Sequence, residues 1–206
     1  MIKDMSQDLN KFKEIDISKM KNPITFFGSA RLKEDDKYYK MAKNLAKLCV
    51  KEGFTIVSGG GGGIMQASNK GAFLGSKELN LDELRSVGFN IYLPFEQRLN
   101  DFVGYNMVFD NLAIRKMALI DKSLAFVIFP GGFGTLDEFF EVLTLKQLGF
   151  KEVPIFVIGS EFWAKFDDFI KSSLLEAGVI SNGDEKLYEL SDDLDYVAKN
   201  LARIIL

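Results

Sequence analysis

The chain has 206 residues, a formal net charge of −3, 47% hydrophobic residues, one cysteine and no histidine. Length and apolar fraction suit one packed domain, and the slight negative charge without a Lys/Arg block argues against a groove for DNA or RNA. A single cysteine admits no internal disulfide, and the lack of histidine removes Ser–His and Cys–His catalysis and most zinc sites, so any chemistry must use carboxylates, Arg, Lys, hydroxyls and backbone. No apolar run approaches the roughly 18 residues of a membrane span, and residues 1–20 hold no signal-peptide core, so a cytoplasmic protein with no membrane partner is expected. Residues 3–20, with Leu9, Phe12, Ile15 and Ile17 among many charges, predict a marginal amphipathic helix or a loose arm.

From there strands and helices alternate. Pro23 opens a strand over 24–27 that runs into Gly28 and Ser29, a turn of the kind that binds ligands in open α/β sheets. A helix follows over 38–51, with Tyr38, Met41, Ala42, Leu45, Leu48 and Cys49 on one face; Cys49 reads as core rather than as a reactive thiol. The strand 54–57 leads to Ser58 and five glycines, Gly59 and Gly60 first, and then to a helix over 64–74. This spells neither G-x-G-x-x-G nor G-x-x-x-x-G-K-[ST], so no dinucleotide or P-loop site is assigned. Five glycines nevertheless carry a large ordering entropy for a mere turn. A strand over 87–93 places Glu96 at its C-terminal edge, where a carboxylate reads equally as a ligand contact or a solvated loop residue. Residues 107–109 suggest a short strand.

The helix 111–121 is almost wholly apolar apart from Arg115 and Lys116. Positions 111, 112, 118 and 119 hold no acid, so Arg115 needs an anion from elsewhere, and a ligand is favoured over a protein carboxylate. Residues 124–129 form a strand stopped by Pro130; Gly131, Gly132 and Gly134 form a loop, and Thr135 opens a helix to Gln147. Strand, glycine loop and helix N-terminus make an anion site with phosphate as its natural guest. Taken alone, Thr135 and Glu138 read more readily as a capping box. A strand over 154–158, a helix over 161–176 capped by Ser160, an edge strand over 187–190 and a last helix from Ser191 complete the chain. The alternation predicts one Rossmann-like α/β domain, a mostly parallel sheet with helices on both faces.

Taken together, Gly28-Ser-Ala-Arg31, Ser58-Gly-Gly-Gly61, Leu93-Pro-Phe-Glu-Gln97, Arg115-Lys116 and Pro130-Gly-Gly-Phe-Gly-Thr-Leu-Asp-Glu138 resemble the LOG (Lonely Guy) family, in its bacterial branch with the Leu-Pro-Phe-Glu-Gln motif. Its members are nucleoside 5′-monophosphate phosphoribohydrolases, among them cytokinin-activating enzymes, often mislabelled lysine decarboxylases. The resemblance covers about residues 24–158. It implies a Rossmann-like fold, commonly dimeric, with the nucleotide site near the dimer interface. It implies Arg115 and Glu138 as a catalytic pair, Gly131 to Thr135 on the 5′-phosphate, and Glu96 and Lys116 on the nucleotide, with Gly28, Ser29, Ser58, Gly59 and Gly60 in the remaining loops. The chain departs from the pattern at Gly62, where many relatives have Pro, and at Gln66, where they have Glu.

The expected activity is hydrolysis of a nucleoside 5′-monophosphate such as AMP or a cytokinin riboside monophosphate, giving free base and ribose 5-phosphate. No cofactor and no metal are called for. The alternative is a nucleotide-binding or sensing module without turnover. A decarboxylase would need pyridoxal phosphate on a lysine with aromatic and acidic support, and no lysine has that context. The apolar surplus in residues 108–120 and 161–176 predicts a homodimer.

Overall fold

The computed structural model describes residues 5–82, 85–92 and 98–206. Among the described residues seven parallel strands form one sheet: β1 (Pro23–Phe27), β2 (Thr55–Ser58), β3 (Ser86–Ile91), β4 (Tyr105–Phe109), β5 (Phe126–Ile128), β6 (Ile155–Val157) and β7 (Glu189–Leu190). Their order is β4-β3-β2-β1-β5-β6-β7. The chain steps outward from β1 to β4 and then returns to lay β5 against the other side of β1. That reversal is a topological switch point, where the strand ends leave a crevice that open α/β sheets use for ligands.

Among the described residues seven α-helices cover both faces: α1 (Met5–Lys13), α2 (Lys37–Lys51), α3 (Ile64–Glu78), α4 (Leu112–Ile120), α5 (Phe133–Gln147), α6 (Ser160–Asp168) and α7 (Leu194–Ile205). Because both faces are covered, the central strands read as continuous apolar runs; every residue of β1, β2, β3, β5 and β6 is buried. One core, on the α2, α3 and α7 side, holds Phe26, Leu45, Ile56, Phe129 and Leu201. The other, beneath α4, α5 and α6, holds Phe27, Phe89, Leu119, Phe126, Phe139 and Trp163. Alternation along β1 sends Phe26 and Phe27 to opposite faces, and each stacks on a β5-side ring, Phe129 at 6.0 Å and Phe126 at 5.9 Å. Those stacks fasten the two strands that flank the crevice. Cys49 is fully buried in the first core, and burial pushes its thiol pKa up, away from reactivity.

The N-terminal arm is docked: Leu9 and Phe12 pack on the second core and Asp8 is buried. Two expected caps differ. Ser160 lies inside α6, not before it; the cap is Gly159 in the left-handed conformation, and Asp192 accepts hydrogen bonds from the N–H groups of both Gly159 and Ser160. A carboxylate from a distant loop thus does what the local serine was expected to do. The helix expected over 161–176 also ends sooner as an α-helix, passing into a π-helical turn over Phe169–Leu174. Ser191 likewise precedes the last helix without capping it; Asp193 accepts from the Tyr196 N–H, and α7 begins at Leu194. Among the described residues no helix is long and apolar enough to cross a membrane.

Candidate active site

The loop after β5 is tied to the neighbouring strand exit, where the Ser29 N–H donates to the Pro130 carbonyl at 3.0 Å. Helix α5 begins at Phe133, two residues earlier than expected, with Gly132 as a cap residue that offers no side chain. Thr135 is therefore the third helical residue, and Glu138 lies past the first turn. The capping-box reading of Thr135 and Glu138 is corrected: neither side chain caps α5. Thr135 is buried instead, folded against Gly131 so closely that a Cβ on that glycine would collide with it. The first intrahelical bond is Leu136 N–H to the Gly132 carbonyl at 3.0 Å, so the N–H groups of residues 133–135 point beyond the helix end. A Cβ on Gly132 or Gly134 would meet nothing within 4 Å, and neither residue has positive φ. Neither packing nor backbone conformation demands glycine there. What glycine leaves is open space over an uncapped helix N-terminus, the physical requirement of an anion cradle.

Arg115 and Glu138 meet at the edge of this cradle. Arg115 Nη1 donates to Glu138 Oε1 at 2.6 Å, and Nε donates to the Phe89 carbonyl of β3 at 3.0 Å. Its Nη2 lies against Gly59, where no Cβ could stand. Three anchors from β3, α5 and the glycine loop thus fix the guanidinium plane. The anion that Arg115 needs is a protein carboxylate 23 residues away, rather than the ligand the sequence favoured. Side-chain exposure is 8% for Arg115 and 13% for Glu138, so the pair is shielded yet still open to a small reactant. Burial pushes the Glu138 carboxyl pKa up; the Arg115 guanidinium pulls it down without cancelling that effect, and Asp137 adds to the rise. Among the described residues Glu138 engages only Oε1, leaving Oε2 for a substrate or water.

The β1 and β2 turns interlock beside the pair. Gly28 has no room for a Cβ against Ile64, Gly63 has a φ of 61° and caps α3, and the Ile64 N–H donates to the Ser29 carbonyl at 2.9 Å. Ser58 is fully buried; its hydroxyl donates to Asn69 at 2.7 Å and accepts from the Gly60 N–H at 3.0 Å. Asn100 closes the network, donating to the carbonyls of Gly60 and Gly61, each at 3.0 Å. Ser58 thus meets the glycine loop rather than open space. Sequence reasoning missed Asn69 and Asn100. An asparagine inside the small, apolar α3 was the available signal for the first, since such a side chain must find partners.

Lys116 turns to the outer side of the α4–α5 seam, with its ammonium 2.9 Å from Asp137 and 2.9 Å from Glu141. A groove of about 480 Å³ there is lined by Lys116, Asp137, Phe140, Glu141, Thr144 and Leu145. Glu96 lies outside the described residues. The structure thus gathers Gly28, Ser29, Gly59, Gly60, Arg115, Gly131, Gly132, Gly134, Thr135 and Glu138 at the ends of β1, β2 and β5, and sets Lys116 behind them. Among the described residues no group of three acids or cysteines could hold a metal.

A family model described as "Possible lysine decarboxylase" matches residues 65–201. The chain is 28% identical over 166 residues to a probable cytokinin riboside 5′-monophosphate phosphoribohydrolase of Oryza sativa subsp. japonica, covering 80% of this chain and 75% of that one. It is 38% identical over 77 residues to the cytokinin riboside 5′-monophosphate phosphoribohydrolase of Mycobacterium tuberculosis, covering 36% of this chain and 40% of that one. Among solved structures it resembles a molybdenum cofactor binding protein of Rippkaea orientalis, with a TM-score of 0.60, 18% identity, and 89% of this chain and 96% of that one covered. The last likeness is one of fold. The family match over two thirds of the residues and the curated relatives together make this chain a member of the LOG family.

Proposed function

We propose that this chain hydrolyses the N-glycosidic bond of nucleoside 5′-monophosphates to free base and ribose 5-phosphate. The observation that carries the reading is the shielded Arg115–Glu138 pair beside an uncapped glycine-rich helix N-terminus. The 5′-phosphate fits the N–H groups at the start of α5, where the helix dipole favours negative charge. Held there, the ribose presents C1′ to Glu138. Cleavage of the C1′–N bond passes through a ribose with oxocarbenium character, and a carboxylate stabilises that cation or activates the attacking water. Arg115 orients the carboxylate through its fork of donors. Phosphate binding remote from the broken bond then lowers the barrier by fixing geometry.

The decarboxylase name fits the site poorly. A Schiff-base lysine works with a lowered pKa. Burial works against the charge on Lys116, but Glu141 and Asp137 outweigh it and raise its pKa. AMP and N6-substituted adenosine monophosphates are the substrates we propose to test first. The same reading includes a cytoplasmic homodimer. The dimer is supported by Leu112, Met117 and Phe140, all more than 40% exposed along α4 and α5. Light scattering at micromolar concentration tests the assembly, and a monomer would refute it.

Incubation of the pure chain with a panel of nucleoside monophosphates, followed by chromatography of the products, tests the activity. Release of free base with equimolar ribose 5-phosphate is expected. Binding without base release from every member of the panel would replace the hydrolase by a nucleotide-binding module.

A further inference from the structure

The N-terminal helix precedes the region that the family model matches, yet it reaches the element that carries Arg115. Asp8 on α1 is 1% exposed. Its Oδ2 accepts two hydrogen bonds, from the backbone N–H of Asp110 at 2.7 Å and of Asn111 at 2.6 Å. Its Oδ1 accepts from Lys11 at 2.9 Å, and Lys11 donates at the same distance to the Val108 carbonyl in β4. Helix α1 thus grips both sides of the turn from β4 into α4.

That turn sets Arg115. Asn111 caps α4, accepting from the N–H groups of Ala113 at 3.0 Å and Ile114 at 3.2 Å. The Arg115 N–H donates to the Asn111 carbonyl at 3.0 Å, so Arg115 sits one turn above the cap. Helix α4 has only nine residues, so a displacement at its cap acts within one turn of Arg115. The carboxylate also stands at the positive end of the α4 dipole. Without it, two backbone N–H groups would be left without their acceptor, and the turn would be free to seek another arrangement.

We propose that Asp8 is a positioning residue: through the β4–α4 turn it holds Arg115 in register with Glu138. Helix α1 is then part of the site's support rather than a loose arm. Only the kinetic part of the test rests on the proposed hydrolysis; the structural part does not.

The test uses the full chain with Asp8→Ala and, separately, Lys11→Met, which lies at a partly exposed position and is expected to fold even if Asp8→Ala does not. The first readout is the Arg115 Nε–H resonance in nitrogen-15 NMR, assigned by its loss in Arg115→Lys and followed well below each melting temperature. In the parent protein this proton is shielded and bonded to the Phe89 carbonyl. In Asp8→Ala its exchange with solvent should quicken by about tenfold or more, with a smaller change in the same direction for Lys11→Met. The second readout is kinetic. For AMP, kcat should fall by about 10- to 100-fold while KM changes by less than about threefold, because the phosphate loop on α5 is untouched. A helix that only adds global stability would lower the melting temperature, quicken the slowest core amides by the same factor as the Arg115 Nε–H, and leave kcat unchanged. Unchanged Nε–H exchange in the variants that fold overturns the proposal, as does faster exchange with an unchanged kcat. Arg115 Nε–H exchange quickened beyond that of the slowest core amides, in a protein whose parent releases no base, upholds the positioning and removes the hydrolase.

Discussion

The guanidinium of Arg115 stands where a Cβ on Gly59 would be, and Met65 closes the other side of the same space. Glycine at 59 is thus explained by the side chain it makes room for, not by a left-handed φ. The clash in Gly59→Ala would fall on the far end of a side chain, so Arg115 is what must move. Displacing it by about 1 Å should lower kcat/KM for AMP by about 100-fold. Overpacking should cost about 1–3 kcal/mol, leaving a folded protein. Circular dichroism with steady-state kinetics checks both, and near-parental turnover would show that the pair tolerates displacement.

Glu138 can be tested more directly now that α5 is seen to begin without a capping box. In Glu138→Gln an amide oxygen can still accept from Arg115, but charge and basicity are gone. Activity should fall by about two to four orders of magnitude with AMP binding retained. Stability should fall by about 1–3 kcal/mol, because the amide keeps a hydrogen bond but leaves the shielded Arg115 guanidinium without its counter-charge. Arg115→Ala should lose turnover too, and the double variant should be little worse than either single one. Base release and calorimetric binding of AMP are the measurements; base release close to the parent's would take Glu138 out of the chemistry.

The pH dependence has a definite sign. Burial raises the Glu138 pKa above its ordinary 4.5, against the pull of Arg115. The hydrolase needs the ionised form, so kcat/KM should rise with pH through a limb displaced above the ordinary Glu range. For folding the direction is opposite. A carboxyl with a raised folded-state pKa contributes stability that is complete below the unfolded value and is lost as pH rises through the folded one. The stability of the parent relative to Glu138→Gln should therefore be greatest in acid and shrink toward neutrality. Denaturant midpoints for both proteins between about pH 4 and pH 8 measure this, and a difference that grows with pH would reverse the assignment.

Much of this site was legible because its parts are local. Gly28-Ser29, Ser58-Gly59 and Pro130-Gly131 each follow an apolar strand, and a strand run and a glycine are visible within ten residues. Long-range choices were not legible. From the residues alone nothing near Arg115 says that its anion is Glu138 rather than a ligand, because the sheet order decides which helices adjoin; the family resemblance is what paired the two. Capping failed for the same reason: Ser160 and Thr135 have the right chemistry, but Asp192 reaches the first helix end from 32 residues away, and Thr135 is committed to Gly131. The docking of α1 rests on Asp8 meeting the β4–α4 turn 102 residues later. A lone aspartate in a charged segment carries no sign of that.

The phosphate cradle gives the last test, through a glycine that the folded chain does not itself need. Gly134 is the second residue of α5, has no positive φ, and a Cβ on it would meet nothing within 4 Å. Gly134→Ala should therefore stabilise the protein by about 0.4–1 kcal/mol, by restricting the unfolded chain and favouring the helix. If the 5′-phosphate lies over the start of α5, the added methyl enters the space the phosphate needs. KM for AMP should then rise by about tenfold or more, and inhibition by ribose 5-phosphate should weaken in parallel. The two effects have opposite signs, a melting temperature that climbs while affinity falls, and general damage to the fold cannot imitate that. A variant that is more stable and binds AMP and ribose 5-phosphate as the parent does would place the phosphate elsewhere in the crevice.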